Sequence, residues 1–229
     1  MIEDPPLLTI RRHFCRPTSN QILRFDGIET GFIVDAMNGR GALDGRIKPL
    51  FKEHASFFGT ALTCHAGPAD NLAIFGALEI AKRGDIIVAT TDQFHETAII
   101  GDLVLGMMKN KGISAFVTDG FVRDIKGLKE VEIPCFCMGV TPNSPSRNGP
   151  GTIGQTISIG NVTVNSGDLI AGDQDGVVIV PFSYIDKTIT KLDDVKAKEA
   201  ALSKEVKDGL VTPDFIRSIF QSDKVKEIK

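Results

Sequence analysis

Four short apolar runs separated by helical stretches constrain this chain more than any other feature. Gly59 to His65 (GTALTCH) reads as a strand. Asp85 to Thr90 (DIIVAT) reads as a fully buried one, because its apolar residues run on without polar alternation. Ile113 to Thr118 (ISAFVT) and Ile133 to Met138 repeat the pattern. Between them, Pro68 to Arg83 is helical, with Leu72, Phe75, Leu78 and Ile80 forming a partly apolar face and Gly84 closing it. A second helix is expected with Asp102 as its N-cap and Gly112 as its stop, after Lys109 and Lys111. Strands alternating with helices over residues 59 to 138 imply βαβ units and a mostly parallel sheet.

The flanks read differently. Residues 1–16, with Pro5-Pro6 and a mixed apolar and basic run, form an N-terminal arm of the kind that packs on a neighbouring subunit. Ile22, Leu23 and Phe25 anchor a helical stretch after Pro17, and Thr30 to Met37 is a short helix with Thr30 as cap. Asn38 to Leu50 is loop. Past Pro142 the helices stop. Asn143 to Gly154 is a Pro/Gly/Ser-rich loop, and short strands follow at 156–159, 162–164, 168–171 and 176–180. Gly160-Asn161 and Asp175-Gly176 mark hairpin turns. Ser183 to Asp208 is a polar helix of the kind that reaches another subunit, and Pro213 to Phe220 is a short terminal helix. The organisation expected is one domain over residues 1–229, with the arm at 1–16 and a C-terminal helical extension at 183–229.

Bulk properties exclude some functions. A net charge of −3 and a pI near 5.8 give no electrostatic case for nucleic-acid binding. No apolar run approaches a membrane span. The acidic start, Met1-Ile2-Glu3-Asp4, lacks the basic and apolar regions of a signal peptide, so a cytoplasmic location is expected. Cys15, Cys64, Cys135 and Cys137 have no metal-ligand spacing and read as buried reduced thiols. Cys135 and Cys137 are expected on opposite faces of their strand.

Chemistry concentrates between Gly101 and Asp124. About nine helical residues out and about six strand residues back span similar lengths, so the turn after Asp119-Gly120 should return Arg123 and Asp124 close to Asp102. Two carboxylates, a guanidinium and a helix N-terminus then meet. That set suits a divalent cation and a small carboxylate ligand: oxygen ligands for Mg²⁺, and the Leu103, Val104 and Leu105 amides for the carboxylate. A 2-keto acid can chelate such a cation while Arg123 stabilises the enolate. Spacing alone also fits an ordinary Asp cap and a surface ion pair. Lys109 and Lys111, at a helix end, suit dipole complementation better than a Schiff base. His54, His65 and His95 are far apart in sequence. Asp173-Gln174-Asp175-Gly176 begins like a calcium loop but lacks the downstream Glu, and reads as a turn.

An acidic residue, twenty intervening residues and Arg-Asp stand here as Asp102, residues 103–122 and Arg123-Asp124. With them come Pro68-Ala69-Asp70-Asn71-Leu72-Ala73, Val117-Thr118-Asp119-Gly120 and Gly172-Asp173-Gln174-Asp175-Gly176-Val177-Val178. Together these resemble the RraA-like proteins and the 4-hydroxy-4-methyl-2-oxoglutarate/4-carboxy-4-hydroxy-2-oxoadipate aldolases, over roughly Thr30 to Asp208.

The resemblance implies a four-layered α/β/β/α sandwich of the swivelling-domain type, assembled as a trimer or hexamer with its site between subunits. It implies a class II lyase that releases pyruvate from 4-hydroxy-2-keto acids, with oxaloacetate decarboxylase activity and Mg²⁺, or Mn²⁺, as cofactor. It places Asp124 on the metal directly. Asp102 and a neighbouring subunit's Glu199 act through water, with Glu205 on the same helix as the alternative. Arg123 contacts the keto oxygen, as an enolate stabiliser rather than a salt-bridge partner of Asp124, and Asn71 joins the substrate-binding set. One departure stands out: many relatives carry a His shortly after the Asn-Leu-Ala segment, where this chain has Ile74-Phe75-Gly76. The same family contains a regulator of ribonuclease E, a non-enzymatic alternative. A methyltransferase role has no support, since no glycine-rich cofactor turn follows the early strands.

Overall fold

Side-chain alternation along the buried strands builds four layers, seen in a computed structural model that describes residues 4–228. The strands are β1 Leu8–Ile10, β2 Lys48–Pro49, β3 Phe57–His65, β4 Asp85–Thr90, β5 Ala98–Ile100, β6 Ala115–Thr118 and β7 Phe121–Val122. They continue with β8 Cys135–Cys137, β9 Gly139–Val140, β10 Gly151–Ile153, β11 Ile157–Ile159, β12 Val162–Val164, β13 Leu169–Gly172 and β14 Val177–Val180. The helices are α1 Ser19–Leu23, α2 Thr30–Ala36, α3 Leu72–Ile80, α4 Asp102–Lys111, α5 Ile125–Val131, α6 Ile185–Lys207 and α7 Asp214–Phe220.

The main sheet runs β1-β10-β3-β4-β6-β8-β2, and its centre, β3-β4-β6-β8, is parallel as the βαβ pattern requires. β13 pairs antiparallel with the start of β3 and carries β14 with it. Successive residues of a strand face opposite sides. Leu62, Ile87, Phe116 and Cys135 therefore pack under α3, α4 and α5. Ala61, Ile86, Val88, Val117 and Phe136 face the other way, against Ile170, Val177, Ile179 and the β11–β12 hairpin. Leu169, Ala171, Val178 and Val180 turn outward again, under Phe25, Ile33, Ile185 and Leu192 of the α1, α2 and α6 side. The order is helix, sheet, sheet, helix.

Phe136 sits at the middle of this stack, fully buried, its ring 5.2 Å from that of Phe57 in an edge-to-face contact. Phe136→Ala is expected to destabilise the fold by about 3–5 kcal/mol. In a chain of this size that is about 2–4 °C of Tm per kcal/mol, read by calorimetry. A loss under about 1 kcal/mol would mean that the inter-sheet layer collapses into the void.

Several sequence expectations need correction. The described part of the N-terminal arm also meets its own chain, with β1 paired in parallel with β10 and the Arg16 guanidinium tied to buried Asp85, while most of its residues are exposed. Met1, Ile2 and Glu3 of the acidic start lie outside the described residues. Cys135 and Cys137 share the helix-side face, because residues two apart in a strand always do; Phe136 is the one that points away. Cys15 is exposed, not buried. Burial pushes the Cys64 thiol up to about 12.

Helix α3 begins at Leu72 rather than Pro68 because Ala69 takes a left-handed φ of 55°, which no right-handed helix contains. Strand β6 begins at Ala115 because the Ile113 amide is spent on the Met108 carbonyl in closing α4 over Gly112. Thr30 is the first residue of α2, not its cap. Its amide and hydroxyl donate to the Asp173 carboxylate at 2.7 and 2.8 Å, so the calcium-like turn serves as a cap from outside the helix.

Candidate active-site cleft

A small parallel sheet, β5-β7-β9, positions the polar groups. Helix α4 leaves the end of β5, and Arg123-Asp124 leave the end of β7. The two strand ends are neighbours, and the Arg123 amide donates to the Ile100 carbonyl at 3.1 Å. The convergence expected from helix and strand lengths is present, but this pairing is what enforces it. Asp102, Arg123 and Asp124 line one cleft of about 140 Å³ with Asn71, Leu103, Val104, Ser144 and Arg147. On its far side Arg123 and Asp124 also border a groove of about 390 Å³ with Ile125 and Val140.

Two glycines hold the carboxylates in place. Asp124 has φ 63°, a left-handed conformation that Asp tolerates better than most residues, and it precedes α5. Its carboxylate lies over Gly101, where any Cβ would overlap Asp124 Oδ2 and come within 3.3 Å of Asp124 Cγ. The Asp102 carboxylate lies in turn over Gly127 of α5, where a Cβ would sit 2.6 Å from Asp102 Cβ. Glycine inside a helix costs about 0.5–1 kcal/mol relative to alanine, so Gly127 marks a close approach.

The N-cap of α4 is Gly101, and Asp102 is the first helical residue, correcting the cap assignment. Asp102 Oδ1 accepts from the Leu103 amide at 2.7 Å. The Leu105 amide donates to the Gly101 carbonyl at 3.1 Å and its side chain is buried, so Leu105 drops out of the ligand set. Val104 keeps a place on the cleft wall.

Arg123 is paired with Asp124, Nε to Oδ2 at 3.3 Å, against the reading that set the two apart. Both side chains are partly exposed, and the attraction of adjacent opposite charges suffices. Arg123 Nη1 also donates to the Ser144 hydroxyl. A guanidinium carries five N–H donors, so several remain for a ligand. Asn71 donates to the Ile99 carbonyl at 2.9 Å, while its Oδ1 is buried with no partner.

Other candidates stay apart. Glu199 and Glu205 are exposed on the distal part of α6, away from the cleft. Among the described residues no three His, Cys, Asp or Glu side chains gather in a metal-holding group. His95 stacks on Phe121, centroids 4.6 Å apart, with Nε2 at 3.1 Å from the Asp119 carbonyl. Asp119 is buried and accepts from Thr90 and from the Thr91 and Gln93 amides, a structural role. Lys111 donates to the Glu79 carbonyl and Lys109 pairs with Glu132, both outside the cleft.

Gly101, Gly127, Ser144, Arg147 and Asp70 escaped the sequence reading as parts of the site. Asp70 is buried, and desolvation alone would raise its pKa. Hydrogen bonds from Leu72, Asn148, Ser146 and Gly149 outweigh that and hold it below the usual carboxylate range.

The fold and cleft define an α/β sandwich protein with two carboxylates and an arginine at adjoining strand ends. Residues 30–179 match the RraA-like family, described as Aldolase/RraA, and the chain belongs to that family. A Halalkalibacterium halodurans protein named "Putative 4-hydroxy-4-methyl-2-oxoglutarate aldolase" is 38% identical over 190 residues, covering 83% of this chain and 90% of that one. The structure of Streptomyces coelicolor RraAS2, titled a member of the RNase ES inhibitor RraA family, shares the fold: TM-score 0.75, 24% identity, 83% of this chain and 100% of that one. The RNA-processing inhibitor RraA from Thermus thermophilus superposes with a TM-score of 0.62 at 25% identity, over 67% of this chain and 92% of its own.

Proposed function

We propose that this protein is a divalent-cation-dependent carbon–carbon lyase that cleaves 4-hydroxy-2-keto acids to pyruvate and also decarboxylates oxaloacetate. The observation that carries the reading is the meeting of Asp102, Asp124 and Arg123 in one cleft, each carboxylate seated over a glycine. The aldolase name of the H. halodurans relative supports it.

The donor set suits a hard cation such as Mg²⁺ or Mn²⁺, which takes oxygen ligands and keeps several waters. Asp124 would hold it directly and Asp102 through water, with Glu199 of a second copy completing the set. When bound, the cation supplies positive charge beside the keto oxygen. The chain's own groups do the rest. Arg123 donates to the keto oxygen, where negative charge grows as the C3–C4 bond breaks. Asn71 Oδ1 accepts the 4-hydroxyl proton's hydrogen bond and so gains the partner it lacks. Water held by Asp102 and Glu199 carries the hydroxyl proton away, leaving a carbonyl at C4 and an enolate that is protonated at C3. The Val104 amide faces the substrate carboxylate, while the Leu103 amide holds Asp102.

The site needs a neighbour on this reading, and the C-terminal extension offers a surface for one. Val211, Phe215 and Phe220 are 95%, 61% and 73% exposed. Trimer and hexamer both satisfy the requirement.

The test is pyruvate release from a 4-hydroxy-2-keto acid with and without Mg²⁺. Activity is expected to vanish on chelation and return on re-addition, and chelator-resistant activity would sink the mechanism. Gly127→Ala is expected to fold and yet lose about 10²-fold in kcat/KM, since an added Cβ displaces Asp102 and misplacement near 1 Å costs that much. Full activity would remove Asp102 from the site. The kinship with Thermus RraA keeps a second reading, a regulator of ribonuclease E. Tight binding to that enzyme, with no lyase activity on any keto acid, would establish it instead.

A further inference from the structure

A second cavity, of about 360 Å³, lies in the outer helical layer opposite α3, α4 and α5, and the chemistry above makes no use of it. It opens between the end of α2 and the first turns of α6, over β14. Met37, Val162, Ile179 and Pro181 give it apolar walls. Arg40, Lys187 and Lys191 line it too, and no carboxylate stands among its described lining residues. Among the described residues none of these three cations has a carboxylate oxygen within 4.0 Å. In a chain of net charge −3, three uncompensated cations around one concavity make a local positive field that draws an anion.

Both rims are built rather than loose. Tyr184, Lys187, Thr188 and Lys191 recur at the three- and four-residue spacing of one helix face. The acids of the same turns are engaged with α1 and its end: Asp186 accepts from Gln21 Nε2 at 2.7 Å and Asp193 from Arg24 at 2.9 Å. Opposite, α2 closes with the Asn38 amide on the Asp35 carbonyl at 3.0 Å and the Gly39 amide on the Val34 carbonyl at 2.9 Å, Asn38 taking a left-handed φ of 58°. The Gly41 carbonyl then accepts from the Ile179 amide at 2.9 Å, and a Cβ at Gly41 would overlap the Ile179 carbonyl. Arg40 is therefore carried between two anchored points. Lys191 Nζ donates to Asn38 Oδ1 at 3.0 Å and joins the two rims. Lys187 Nζ lies 5.8 Å from the centre of the Tyr184 ring, which is 50% exposed and free to stack.

We propose that this cavity is a second ligand site, for a mononucleotide: the phosphate on Arg40, Lys187 and Lys191, the base against the Tyr184 ring and the apolar wall. Lysine ammonium groups meet phosphate as point charges, and the arginine fork meets it with two parallel N–H···O bonds. A base stacks on an aromatic side chain whatever its sequence identity. The volume falls in the range of small-molecule sites. An inorganic anion would leave the apolar wall and the ring bare, and a neutral ring would leave the three cations without a partner. The site stands whether or not the lyase reading does.

The chain supplies its own reporter, because Tyr184 is its single tyrosine. Ring-labelled tyrosine gives one NMR signal, and that signal reads this cavity alone. The full chain is titrated without Mg²⁺, so that the Asp102–Asp124 cleft cannot take phosphate through a cation. Adenosine 5′-monophosphate is expected to shift the signal saturably, with a Kd below about 1 mM. Adenosine, which has the ring without the charge, and inorganic phosphate, which has the charge without the ring, are each expected to bind at least about tenfold more weakly. Arg40→Ala and Lys187→Ala, both at exposed side chains, are each expected to weaken the nucleotide by about tenfold while leaving the fold intact. A Tyr184 signal that the nucleotide leaves unmoved overturns the proposal. So does an equal response to adenosine or to inorganic phosphate, or an unchanged affinity in both variants.

Discussion

Arg123→Ala is expected to slow pyruvate release by about 10²–10³-fold, the cost of removing one donor aimed at a developing oxyanion. The side chain is partly exposed and packs into no core, so the fold should hardly notice. Its ion pair with Asp124 is of the surface kind, worth about 0–1 kcal/mol. Truncation also frees Asp124 from a competing cation, so Mg²⁺ affinity should hold or rise while turnover collapses. That opposition separates a role in turnover from general damage to the cleft. Single-turnover assays with parallel Mg²⁺ titration read both quantities, and a variant with wild-type turnover would dismiss Arg123 from the chemistry.

Asp124→Asn is expected to abolish the response to Mg²⁺, with cation affinity falling by about 10²-fold or more and activity with it. Asparagine is the informative replacement because residue 124 sits at φ 63°. Asn and Asp both tolerate that region, whereas Ala would add strain of about 1–3 kcal/mol. The amide keeps the size and backbone and removes only the charge. Calorimetric titration with Mg²⁺ checks the outcome, and an Asn variant that binds the cation like the wild type would show that Asp124 is not its ligand.

The parallel centre of the fold was legible because DIIVAT and its neighbours are apolar without alternation, a pattern that double-faced burial demands. The meeting of Asp102 with Arg123-Asp124 was legible in outline from segment lengths. Its cause, the pairing of β5 with β7, was hidden because strands of three and two residues leave little pattern to read. Arg147 and Ser144 lie on a loop with no periodicity, tied down by the distant Ala69–Asn71 corner and, at Ser144, by Arg123. β1 joins a strand about 140 residues away in sequence, a pairing that local propensity cannot anticipate. Gly127 was hidden because no helix was expected between Thr118 and Ile133, where α5 lies, and its partner Asp102 is on a different helix. Asp173 shows the converse: its turn was legible, and its service to Thr30 was not.

Helix α6 packs against α2 through Ile185, Thr188 and Leu192 near its start, while Lys196 to Ala200 and most of the helix beyond them stand in solvent. If Glu199 on that free half completes a second copy's site, as proposed, a chain by itself would carry an unfinished site. Catalysis would then belong to the assembly, and specific activity would become a function of protein concentration through mass action. Dilution would switch the protein off without unfolding it.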